Sequence, residues 1–105
     1  MDRQQAMHVM FSHTVLLKFN RSDDEFFTRI GEYAEQLRTA CEGVMQLRFV
    51  RNEASRSGGF THGFITSFVD ESAHDRYQEM PAHIELKQYI MPHVTELIVL
   101  DSTIS

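Results

Sequence analysis

The sequence predicts an α+β domain of the ferredoxin-like, split βαβ class, with a four-stranded antiparallel sheet and its helices on one face. Three observations carry this. Apolar side chains alternate with a period of two around residues 9–19, 44–52 and 60–69; they recur every three or four residues around 23–41 and 71–90; and a last apolar strand closes the chain at 94–101. The order strand, helix, strand, strand, helix, helix, strand is that of two βαβ halves. At 105 residues the chain has room for one core and therefore one domain, taken as residues 9–105 behind an uneven polar tail at 1–8.

The first strand puts Val9, Phe11, His13, Val15, Leu17 and Phe19 on one face, so a histidine stands on the oily side. Ser22 followed by Glu25 reads as a capping box, with Asp23 and Asp24 favouring the positive end of the first helix. Phe27, Ile30, Ala34, Leu37 and Cys41 form its apolar stripe, widened by Phe26, Tyr33 and Ala40, and Gly43 ends it. In the second strand Met45, Leu47 and Phe49 oppose Gln46 and Arg48. After a turn at 53–59 the third strand groups Phe60, His62, Phe64 and Phe68. Asp70 can cap a short helix in which Ala73 and Tyr77 lie one turn apart. Pro81 suits the first turn of another, where His83, Leu86 and Ile90 share a face.

Function classes follow partly by exclusion. The formal net charge is −5 and the arginines are dispersed, so there is no basic field for nucleic acid. No apolar stretch reaches the ~20 residues a bilayer requires. One cysteine cannot form an internal disulfide, and the first residues show no charged-then-apolar leader, so the expected compartment is the cytoplasm. Cys41, on the helix stripe, reads as a buried small hydrophobe, and Gly58-Gly59 as a hairpin turn. The sheet face away from the helices, with Met10, Leu16, Val44, Val50, Ile65, Val69, Ile98 and Leu100, is too apolar to stay wet, which predicts a C₂ homodimer through that face.

The candidate site rests on rings. Tyr77 and His83 stand on neighbouring helical turns, and His13 and His62 interrupt oily strand faces, so four polar rings could meet in one hollow. The residues leave open whether these are satisfied core side chains, a pocket, or a three-histidine zinc site, although none has the short His-x-His or His-x-x-x-His spacing of a local metal motif. His93 is a candidate for the pocket rim, and His74 and His8 for solvent.

Taken in order, His13-Thr14-Val15-Leu16-Leu17-Lys18-Phe19, Phe60-Thr61-His62-Gly63, Tyr77, Pro81-Ala82-His83 and the last strand ending in Asp101 resemble the stress-responsive α/β-barrel (Dabb) family. The resemblance implies a dimeric α/β barrel. It also extends to the family's plant cyclases that form olivetolic acid by aldol closure of a linear polyketide without cofactor or metal. On that likeness His83 and Tyr77 take the catalytic positions, and His13, His62 and Phe27 substrate-binding positions. Ile30 stands where those cyclases carry a pocket tyrosine, and Val94 where they carry a tryptophan, so the pocket shape differs. Phe60 and Phe64 complete the expected substrate-binding set. The implied function is cofactor-free proton transfer or cyclisation of a β-keto compound. The alternatives are a non-catalytic binder of a small hydrophobic or aromatic ligand and a cofactor-independent oxygenase of similar fold.

Overall fold

The computed structural model describes residues 9–105; the predicted tail and His8 lie outside the described residues. Strand β1 (Met10–Phe19) leads into helix α1 (Asp24–Ala40), then β2 (Val44–Arg51), β3 (His62–Phe68), α2 (Glu71–Gln78), α3 (Pro81–Ile90), a single 3₁₀ turn (Met91–His93) and β4 (Val94–Ile104). The sheet order is β2-β3-β1-β4, and the pairings β1–β3, β1–β4 and β2–β3 are all antiparallel, which is the predicted ferredoxin-like topology.

Helix α1 is capped by Asp23, whose carboxylate accepts the Phe26 amide at 3.1 Å, and not by Ser22. That start makes Phe26 the deeply buried residue of the first turn and leaves Phe27 half-buried, with Ile30, Ala34 and Leu37 continuing the buried stripe. Asp70 caps α2 as expected, accepting the Ala73 amide at 2.8 Å, and Pro81 occupies the first turn of α3. The core lies between the helices and one sheet face, where Phe11, Val15, Leu17, Leu47, Phe64 and Phe68 meet the buried faces of the three helices. Cys41 is buried there, and burial pushes its thiol pKa up.

Two departures from the predicted faces have local causes. The β2–β3 register slips between Val44 and Gln46, so Met45 is a bulge residue exposed to solvent and Val44 turns into the core opposite Phe68. Val44 thus leaves the outer apolar face. Strand β4 runs on to Ile104, three residues beyond Asp101, because β1 offers it a pairing partner as far as Met10. The outer face keeps Ile65, Ile98 and Leu100, all exposed, and Leu97 and Val99 on the inner side of β4 are also more than 40% exposed.

Candidate functional site

The alternating pattern of β1 sends His13 to the helix side, and the β1–β4 register sets Asp101 directly opposite it. His13 Nδ1 lies 2.5 Å from Asp101 Oδ1, so the carboxylate accepts the ring N–H and fixes the imidazole. Tyr77 comes from the last turn of α2 and His83 from the first turn of α3. The break at Met80-Pro81 folds them together, with ring centroids 4.5 Å apart. His83 Nδ1 is 3.3 Å from the Gln78 carbonyl oxygen, an arrangement in which Nδ1–H donates and Nε2 is left as the acceptor.

His13, Tyr77 and His83 line one cavity of about 310 Å³, walled by Val15, Leu17, Phe64, Leu86, Ile90, Leu97 and Val99 with Gln78, Lys87 and Met91. A largely apolar wall around a few convergent polar groups is the usual make-up of a small-molecule site. Burial lowers the His83 pKa to about 4, with a smaller opposing contribution from the Gln78 carbonyl, so the ring is neutral near pH 7. Burial raises the Tyr77 pKa above its ordinary value, so the phenol keeps its proton. Its hydroxyl has no side-chain or backbone hydrogen-bond partner among the described residues.

His62, Phe27 and Phe60 do not join this cavity. His62 stacks between Phe27, at 4.2 Å and 28°, and Phe49, at 5.2 Å and 8°, and lines a second, more open hollow of about 580 Å³ with Phe27, Phe60, Arg21 and Arg51. The reason is register. His62 pairs with Leu17 whereas His13 pairs with Thr66, a four-residue offset worth roughly 13 Å along the sheet at ~3.3 Å per residue. Ile30 is fully buried core and lines neither hollow. Of the expected substrate-binding set, only His13 and Phe64 stand with the Tyr77–His83 pair. His93 packs edge-on against Phe26 and is at neither rim.

His74 was expected in solvent and is instead 5% exposed. Its ring lies 4.5 Å from that of His13 and contacts Phe11, Phe68 and Tyr77, and Gln78 Nε2 is 3.1 Å from its Nε2. Burial, and secondarily His13, lower its pKa. The signal was available in the sequence, since His74 follows Ala73 and precedes Tyr77 by three residues, within the same helical stripe.

The sequence profile described as Stress responsive A/B Barrel Domain (Dabb) matches residues 11–104. The chain belongs to the Dabb family. Among solved structures, this Dabb chain is similar to a Dabb family protein with a ferredoxin-like fold from Mesorhizobium loti, at 23% identity, 90% coverage of this chain and 95% of that one, and a TM-score of 0.74. It is similar to hydroxynitrile lyase from Passiflora edulis, at 16% identity, 91% and 94% coverage, and a TM-score of 0.79. A dimeric ferredoxin-like protein of unknown function from Thermobifida fusca matches at 14% identity, 90% of both chains and a TM-score of 0.77. No curated protein matches the chain in sequence. At these identities the structural likenesses establish the fold. Among the described residues no helix is long and apolar enough to cross a membrane.

Proposed function

We propose that the His13–Tyr77–His83 cavity binds a small, largely apolar carbonyl compound and catalyses cofactor-free proton transfer on it, as in aldol-type closure of a β-keto substrate, within a homodimer. The observation that carries this reading is the pairing of a neutral imidazole with a protonated, unpartnered phenol, 4.5 Å apart by ring centroid, in a cavity of about 310 Å³. His83 Nε2 is the proton acceptor. A histidine with a pKa near 4 is a weak base, so it removes a C–H proton only where the enolate is stabilised in place. Tyr77 O–H is placed for that stabilisation, and His13, held by Asp101, orients a carbonyl or carboxylate.

The likeness to a protein named as a hydroxynitrile lyase supports the catalytic side of this reading, and the Thermobifida protein, titled dimeric, supports the homodimer. A second reading, a binder without turnover, draws on the apolar wall of Leu86, Ile90, Leu97 and Val99. Deuterium exchange at the C–H between the carbonyls of a β-diketone, followed by NMR in D₂O, separates the two without knowledge of the natural substrate. Wild-type protein is expected to accelerate exchange. His83→Ala should cut that acceleration by about 100-fold or more, and Tyr77→Phe by about 10-fold or more. Saturable binding without exchange would establish the binder, and unchanged exchange in both variants would remove the pair from the mechanism.

A further inference from the structure

Behind the cavity the fold assembles three ligating side chains that the sequence disperses. His13 comes from β1, His74 from α2 and Asp101 from β4, and one ligand atom from each falls within 4.8 Å of the other two. The sequence leaves a zinc site open among His13, His62 and His83, none at the spacing of a local motif; the fold instead brings His74 and Asp101 to His13. We propose that His13, His74 and Asp101 form a binding site for a divalent transition-metal ion of the zinc or cobalt class, beyond the reaction inferred above.

Two imidazoles and one carboxylate are the donor set that such ions take, leaving further positions for water. Zinc bond lengths of ~2.0–2.2 Å place neighbouring donors of a tetrahedral site roughly 3.3 Å apart. Binding therefore breaks the 2.5 Å His13–Asp101 hydrogen bond: the ring proton passes from Nδ1 to Nε2 through water, which frees the Nδ1 lone pair, the contact opens and His74 is drawn inward. Gln78 lies beside the same ring, its Nε2 3.1 Å from His74 Nε2; with the carboxamide turned to present its oxygen, it accepts the Nε2–H and leaves Nδ1 as the ligand atom.

An independent observation points to the same place. Thr66 pairs directly with His13 on the same sheet face; its hydroxyl is buried, and it has no hydrogen-bond partner among the described residues. An orphan hydroxyl in a core is costly, and a water carried in on the ion would give it a partner. Occupancy also engages His13, the one ligand that lines the cavity, so ion and carbonyl substrate compete for that ring.

The test is titration of chelator-treated protein with Zn²⁺ by calorimetry and with Co²⁺ by visible absorption. One ion per protomer is expected, with d–d bands of a nitrogen and oxygen site. Asp101→Asn, at an exposed strand position, and His74→Gln should each weaken binding by about tenfold or more, while His83→Gln should leave it unchanged. Circular dichroism of each variant separates a lost ligand from a lost fold, and Asp101→Asn carries the test if His74→Gln unfolds. Absence of saturable binding at millimolar metal, or affinity unaffected by Asp101→Asn, would overturn the site. Neither readout depends on turnover, so failure here leaves the proton-transfer reading to its own experiment.

Discussion

At the scale of the residue, His83 ties burial to pH. Its folded pKa of about 4 lies below the ~6.5 of an unfolded histidine, so the unfolded chain takes up this proton first as pH falls. Stability therefore declines as pH drops from about 6.5 toward 4, and the burial-lowered pKa values of His62 and His74 add to the decline with the same sign. The same ring predicts the rate profile: kcat/KM for exchange of the β-diketone should rise along an acid limb centred near pH 4 and stay flat through neutrality. A limb near 6.5 would hand the base role to another histidine. Which rings share the cavity was only half legible in the sequence. Alternation told which sheet face His13 and His62 occupy, but position along that face depends on pairing between strands distant in sequence, and there the two separate. Tyr77 and His83 were legible because they are local, joined across one proline-marked bend.

At the scale of the element, the approach of α2 to the sheet depends on Gly43. Its φ is +90°, a left-handed value, and a Cβ built there would lie 2.7 Å from the Ala73 Cβ of α2 and 3.3 Å from Val69. The Gly43 carbonyl also accepts the Val69 amide at 2.9 Å, tying the start of β2 to the end of β3. Gly43→Ala should therefore push α2 outward and destabilise the fold by about 1–3 kcal/mol, read as a lower urea midpoint at unchanged m-value. Because α2 carries both Tyr77 and His74, the variant should also slow exchange of the β-diketone more than a mere loss of folded protein explains. The glycine was visible in the sequence as a helix stop. Its second role, making room for Ala73, depends on a contact between elements that no local pattern encodes. The same holds for the Met45 bulge, which reverses the expected placement of Val44.

At the scale of the whole molecule, the chain is a slab, with Cα extents of 50 × 33 × 17 Å, helices on one side and a bare sheet on the other. Ile65, Ile98 and Leu100 stand exposed on the bare side, Leu100 at 65%. Strand β4 is also a sheet edge, a position at which isolated proteins place charge and not a run of leucine, isoleucine and valine. A second copy laid face to face across the dyad would cover both sheets at once, as inferred for the homodimer, and the apolar alternation already foretold this need. Replacing Ile98 with Lys and Leu100 with Glu puts opposite charges into that interface while leaving the helix-side core untouched. Sedimentation velocity should show wild-type protein as a dimer at tens of micromolar and the double variant as a monomer with native circular dichroism. Because Leu97 and Val99 wall the cavity from the same exposed strand, the monomer should also bind a β-diketone more weakly. A wild-type chain that sediments as a monomer would leave the outer face without its proposed cover, and a double variant that stays dimeric would move the interface elsewhere.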